Sequence, residues 1–384
     1  MSNIYLDNAA TTFPKPKEVY EYMINMYQNY GANVGRATTS YDQGINSIVK
    51  ETRDMLKNLV NAKDGYEAVF TPSATIAFNQ ILWGLDWSKI NNVYISYFEH
   101  NAVLRTLEAI KKDYDINIKF LEFEKDNWKY DFQKIEYEFE NSSPDLVIIN
   151  HVSNVFGYIS TIEEIYDLSK KYNPIYIIDA CQSMALVELD LLRYRFDFVI
   201  FAGHKTLYGP FGIAGFIMNK NIDLKPYIYG GTGTESMSMN MPNELPSKYE
   251  AGSLNTLAIF GLYKALKWIN EIGVKNIRKQ EEIITRELVS VLQKYDFIQT
   301  YIPTNNHIGI VSFKIKGYPV DIMGECIGKN YKITLRYGLH CAPNAHIVSN
   351  TLPEGTIRVS TGYFTTLEDI RKLDDALSDL EYEI

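Results

Sequence analysis

The chain has 384 residues, 46% of them apolar and 22% charged, a balance suited to a globular protein with room for two domains. A net charge of −9 works against a nucleic-acid surface. No run of ~18 apolar residues is present to span a membrane, and Met1 to Asp7 lacks the basic-then-apolar pattern of a secretory signal. Three cysteines, Cys181, Cys326 and Cys341, are too few and too scattered for a disulfide framework or a metal site, so a reducing cytoplasm is the expected location.

From Tyr66 onward, strand-like runs alternate with helix-like ones. Strands are predicted at Ala68–Thr71, Val93–Tyr97, Ile116–Phe123, Leu146–Asn150, Ile175–Asp179, Phe198–Phe201 and Ala214–Met218. Helical patterns such as Asn101–Lys112 and Thr161–Tyr172 lie between them. This alternation predicts an α/β fold with a mainly parallel seven-stranded sheet flanked by helices. After Ser253 two long amphipathic segments, Thr256–Ile272 and Val274–Tyr295, lead away from the sheet. Strands at Gly309–Ile315, Ile333–Arg336 and Thr356–Ser360 and a last helix near Leu367–Leu380 then predict an α+β unit with its own core. The expected division is a large domain over 16–255 and a smaller C-terminal α+β domain over 256–384, with 1–15 packing beside the latter.

The most informative stretch is Asp197-Phe-Val-Ile-Phe-Ala-Gly-His-Lys-Thr-Leu-Tyr-Gly-Pro210. A buried strand stops abruptly and presents His204 and Lys205 on a glycine-bounded loop. An amine at the end of an apolar strand is poorly solvated and suited to act as nucleophile or base. Upstream, Pro174-Ile-Tyr-Ile-Ile-Asp-Ala-Cys-Gln182 is another apolar strand, ending in Asp179. Ligands of open α/β sheets bind at the carboxyl ends of strands. A lysine for a Schiff base together with an aspartate for a pyridinium nitrogen is the pairing that pyridoxal phosphate chemistry requires. Phe70-Thr-Pro-Ser-Ala-Thr75 leaves a strand and opens a helix, whose first amides suit a phosphate. Near the end, Arg336-Tyr-Gly-Leu-His-Cys-Ala-Pro343 sets Cys341 in a loop beside Arg336 and His340, neighbours that favour a reactive thiol.

In their order along the chain these motifs resemble the fold-type I, class V pyridoxal phosphate enzymes, and within them the cysteine desulfurases and selenocysteine lyases. The nucleophile loop is most similar to the SUF type. The resemblance runs from Asp7-Asn-Ala-Ala-Thr-Thr12 to Thr356-Ile-Arg-Val-Ser360. It implies that Lys205 bonds the cofactor and that Asp179 faces its ring nitrogen. His100, in Glu99-His-Asn-Ala102, would stack on the ring and relay protons. Asn154, in His151-Val-Ser-Asn-Val-Phe-Gly157, and Gln182 would sit near the phenolic oxygen. Ala74, Thr75 and His204 would hold the phosphate, joined by Ser253 of Tyr249-Glu-Ala-Gly-Ser-Leu-Asn255 from the neighbouring subunit of a homodimer with shared active sites. Arg358 and Asn33 would bind substrate, Arg358 gripping its carboxylate as a bidentate fork.

The implied reaction converts L-cysteine to L-alanine, leaves a persulfide on Cys341, and passes the sulfur to an acceptor protein or small thiol. Selenocysteine lyase acting on L-selenocysteine, or another pyridoxal lyase or aminotransferase, would use the same scaffold. A non-catalytic dimeric scaffold is disfavoured by the intact Lys205, Asp179, His100 and Arg358. The chain departs from the family pattern at Ala202, where serine is frequent, at Ser73 and Ile76, and at Gly35 and Leu339, where the SUF pattern has histidine.

Overall fold

The computed structural model describes residues 3–31, 34–35, 40–233, 237–304 and 306–383. Seven strands form the large sheet. Their spatial order is Tyr66–Thr71, Ala214–Asn219, Phe198–Ala202, Ile175–Asp179, Leu146–Asn150, Asn92–Ile95 and Asn117–Phe120. The last five run parallel, and Ala214–Asn219 is antiparallel to both its neighbours. The mainly parallel, helix-flanked sheet expected from the alternation is therefore present.

The sequence explains why this sheet is covered on both sides. Every residue of Leu146–Asn150 and Phe198–Ala202 is buried, as continuous apolar runs require. The two-residue period of a strand then sorts them. Val147 and Ile149 join one core, while Leu146 and Ile148 join the core on the opposite face.

Two predicted strands are cut differently. Ile116–Phe123 breaks into Asn117–Phe120, in the large sheet, and Phe123–Glu124, which forms a hairpin with Lys129–Tyr130. Ile333–Arg336 divides between two sheets. Ile333–Thr334 pairs with Ile4–Tyr5, and Arg336–Gly338 pairs with Thr356–Ser360. The predicted Val93–Tyr97 strand ends at Ile95, and Tyr97 beyond it stacks on Phe120, ring centroids 4.6 Å apart.

Past the large sheet, Asn255 caps the Thr256–Ile272 helix, its Oδ1 accepting the Ala258 N–H at 3.1 Å. Gly273, at φ +85°, ends that helix and allows the turn into Val274–Gln293. A four-stranded antiparallel sheet follows in the order Ile298–Tyr301, Ile310–Ile315, Thr356–Ser360, Arg336–Gly338. Its core includes Leu288, Phe313, Val359 and Leu373, and it takes in Ile4 and Leu6 from the start of the chain.

The 151–157 loop is bound to this second unit through Gly157. Its φ is +66°, and a Cβ there would lie 2.7 Å from the Ile308 carbonyl oxygen and 2.8 Å from that of Ile310. The Ile308 N–H donates to the Gly157 carbonyl at 2.9 Å. Gly157→Ala should cost about 2–3 kcal/mol from the strained φ and the forced separation. Urea unfolding should show a lower midpoint at unchanged slope.

Candidate functional site

The carboxyl ends of the parallel strands stop at one edge, and the loops that follow enclose a cavity of about 200 Å³. Its wall brings together Ala74, Thr75, His100 and Asn154 with Asp179, Gln182, His204 and Lys205. Residues over a hundred positions apart in the chain thus share one space.

Each arrives there for a local reason. Ser73 caps the Ala74–Gly84 helix, its Oγ accepting the Ile76 N–H at 3.3 Å. Helix geometry leaves the Ala74 and Thr75 N–H groups without intrahelical acceptors, so they face the cavity as an anion cradle. Asp179 closes its strand at 3% exposure. Its Oδ1 accepts the Cys181 N–H at 3.0 Å, and its Oδ2 accepts from Asn150 Nδ2 at 3.3 Å. Lys205 is fixed by its backbone, its carbonyl accepting from Thr12 Oγ1 and from the Tyr208 N–H, both at 2.9 Å.

Two histidines are neutral. His100 caps the Asn101–Ile110 helix, its Nδ1 accepting the Ala102 N–H at 3.0 Å. Burial, with the charge of Lys205 beside it, pulls its pKa down to about 4. The ring proton must therefore sit on Nε2, which is left as a donor. Burial, then the charges of Lys205 and Lys15, pull His204 down to about 3. Its ring stacks on Phe211 at 4.6 Å.

Behind these groups lies a carboxyl that the sequence reading did not single out. Glu99 is fully buried, and burial pushes its pKa up to about 8. Its Oε1 accepts from Ser96 Oγ and from the Asn150 N–H, both at 2.6 Å. Asn150, also missed, connects it to Asp179. The signal was present in that a polar residue ends an apolar strand in direct register with Asp179.

The Cys341 loop reaches the same site. His340 and Cys341 are consecutive left-handed residues, at φ +49° and +58°. The first side chain is buried and the second exposed. The Cys341 carbonyl accepts the Asn101 N–H, and the His340 carbonyl accepts from Asn154 Nδ2, each at 2.7 Å. His340 turns inward, its Nε2 3.0 Å from the Thr356 carbonyl oxygen. Burial and the charge of Arg358 hold its pKa well below the usual range. It is therefore no cationic neighbour for the thiol, which corrects the sequence reading. Arg336 remains, exposed and opposite Arg358 in the sheet register.

Other predicted residues stand differently. Arg358 is 1% exposed. Its Nη2 pairs with Asp7 Oδ1 at 2.6 Å and its Nη1 donates to the Asn154 carbonyl at 2.7 Å. Its Nε–H has no partner among the described residues, so the guanidinium keeps a buried donor for an incoming carboxylate. Gln182 spends its Nε2–H on the Ala9 carbonyl at 2.7 Å. Ser253 is exposed and lines a neighbouring cavity with Gly212, Ile213 and Tyr249. Asn33 lies outside the described residues. Among the described residues no cluster could hold a metal, and no helix is long and apolar enough to cross a membrane.

A parallel-sheet fold with an amine, a carboxylate and a helix N-terminus around one strand-end cavity defines a class of α/β enzyme. The class-V aminotransferase model matches residues 4–373, and the chain belongs to that family. It is 30% identical to a probable cysteine desulfurase of Pyrococcus abyssi, over 98% of this chain and 94% of that protein. To a probable cysteine desulfurase of Methanothermobacter thermautotrophicus it is 29% identical, with the same coverage of 98% and 94%. The apo structure of a cysteine desulfurase from Thermococcus onnurineus superposes with a TM-score of 0.91 at 27% identity, over 100% of this chain and 95% of that one.

The buried ion pair gives a direct test of how the site is assembled. Asp7→Ala strands the Arg358 charge and should cost about 3–5 kcal/mol. Asp7→Asn, which still offers an oxygen acceptor, should cost less. Equilibrium unfolding in urea measures both.

Proposed function

We propose that the protein is a pyridoxal phosphate-dependent cysteine desulfurase that converts L-cysteine to L-alanine and carries the sulfur on Cys341. The observation that carries this reading is the meeting of Lys205, Asp179 and His100 in one cavity to which the Cys341 loop is bonded through Asn101 and Asn154. The cavity fits the cofactor. Asn150 Oδ1, Asn154 Oδ1 and His204 Nδ1 are buried with no hydrogen-bond partner among the described residues, and groups so placed call for one. A flat, polar, phosphorylated ring supplies partners for such atoms, a phosphate for the helix N-terminus, and an aldehyde for the amine.

When bound, pyridoxal phosphate supplies an electron sink next to the substrate α-carbon. In this reading residues 16–255 hold that group and 256–384 carry Arg358 and Cys341. Lys205 secures the cofactor and, once freed, moves the α-proton. The Asp179 carboxylate would face the ring nitrogen and favour its protonated form. His100 would stack on the ring, with its Nε2–H available as a donor. Ala74, Thr75 and His204 bind the phosphate, completed by Ser253 of the partner subunit in a homodimer. Arg358 receives the substrate carboxylate, with Asn33 beside it. Asn154 and Gln182 would lie beside the phenolic oxygen.

The Cys341 thiolate attacks the substrate sulfur. A new S–S bond forms, the C–S bond breaks, and its electron pair stays with carbon, which takes up a proton to leave as alanine. A thiol acceptor, protein or small molecule, then removes the sulfur from the exposed Cys341. The proposed setting is the cytoplasm.

Lys205→Ala should lower turnover by about 10³-fold or more and abolish the borohydride-reducible bond to the cofactor. A variant with a wild-type amount of reducible adduct overturns the role of Lys205. Cys341→Ser should keep cofactor content but lose persulfide and most sulfide release, because a hydroxyl neither ionises near neutral pH nor stores sulfur. Mass spectrometry after a cysteine pulse should place one extra sulfur on the Cys341 peptide and none on those of Cys181 or Cys326.

A further inference from the structure

Lysine is almost never buried unless it is paired, yet Lys15 is 8% exposed and has no carboxylate partner among the described residues. Its Nζ donates to the Thr12 carbonyl at 2.7 Å, to Thr12 Oγ1 at 3.1 Å and to the His204 carbonyl at 3.1 Å. The three N–H bonds of an ammonium are thereby satisfied by neutral oxygens. The His204 carbonyl also receives Thr11 Oγ1 at 2.9 Å and the Thr12 N–H at 3.1 Å. One peptide oxygen, immediately before Lys205, thus gathers donors from a segment nearly two hundred residues earlier. Of the titratable groups around the ammonium, His204 feels its charge; the Tyr20 hydroxyl, on the Lys17–Asn29 helix, accepts the Lys15 backbone N–H. Burial pulls the amine down to about 8, and its charge contributes to holding His204 neutral.

We infer that Lys15 is a positioning residue for Lys205, clamping the His204 carbonyl and setting a positive charge behind the loop that carries His204 and Lys205. The inference rests on the proposed role of Lys205. A nearby positive charge disfavours a proton on the nitrogen of the lysine–cofactor bond. Thr11 and Thr12 share the clamp, while Lys15 alone supplies charge.

The test uses Lys15→Met, a neutral chain of similar length, with Lys15→Gln if the methionine variant does not fold. In holoenzyme, the pH midpoint of the visible band of the lysine–cofactor bond should move up by about one unit, a tenfold change in the proton equilibrium. In the cofactor-free chain, hydrogen exchange over 203–209 should quicken about tenfold, the loss expected for one hydrogen bond. Thr11→Val should quicken exchange and leave the midpoint in place. An unchanged midpoint in the Lys15 variants overturns the inference, even if exchange quickens, since that pattern marks a merely structural residue. A Thr11→Val midpoint shift as large as that of Lys15→Met also overturns it. Absence of any visible band in wild-type holoenzyme sinks the cofactor reading instead, and the exchange comparison then decides the clamp alone.

Discussion

A guanidinium with 1% exposure cannot remain charged in a protein interior without acceptors on several sides, and satisfying Arg358 organises much of this molecule. The contact joins three distant parts of the chain. Asp7 belongs to the N-terminal segment, Asn154 to a loop of the large sheet, and Arg358 itself to the four-stranded sheet. Removing any of them leaves an unpaired charge or an orphaned carbonyl, and the penalty for the charge exceeds what a surface pair contributes. The two hydrophobic units are therefore joined by a polar contact that tolerates little displacement. The catalytic residues proposed here sit on both sides of that contact, which makes their separation a property of the fold rather than of loop flexibility.

The interior of the site keeps its charges apart by burial. Glu99 and Asp179 are bridged by Asn150, and two adjacent buried carboxylates would repel. Burial holds the proton on Glu99, so one negative charge, not two, stands at that strand end. The histidines are discharged by the same means. His100 and His204 lie near Lys205, where a second and third cation would compete with it, and both are neutral. The cavity consequently presents one cationic side chain and one anionic one, with neutral donors around them.

Much of this was legible in the sequence because the large sheet is buried on both faces. Runs such as Leu146–Asn150 and Phe198–Ala202 have no polar alternation to confuse with a helix, and the residue that ends each run falls at the ligand-binding edge. The Thr256–Ile272 and Thr356–Ser360 bounds coincide with those read from periodicity and composition. The amphipathic helices Lys17–Asn29 and Ser40–Leu59 were not read, nor was Val320–Tyr331. The first carries exposed Tyr20, Ile24 and Tyr27 on its outer side, which blurs the period. The Ile333–Arg336 run looks continuous because nothing in a strand's local sequence states which partner it will pair with. The orientation of His340 was equally invisible. Sequence adjacency to Cys341 suggested a polarising neighbour, whereas two successive left-handed residues send the two side chains in opposite directions. The roles of Lys15 and Asp7 depend on contacts nearly two hundred and more than three hundred residues away.

The anchoring of the Cys341 loop sets the length of the arm on which sulfur would travel. The carbonyls of His340 and Cys341 are both held by hydrogen bonds, to Asn154 and Asn101, so the backbone on either side of the thiol is pinned. What remains free is the side chain: the Cβ–Sγ bond turns a sulfur carried beyond Sγ, and the Cα–Cβ torsion moves Sγ itself. Rotation among its staggered wells sweeps the sulfur through about 3 Å, a pivot rather than a swinging loop. A carrier of that reach collects its cargo only from a substrate pressed close to it. It surrenders the cargo only to an acceptor whose own nucleophile comes to the protein surface.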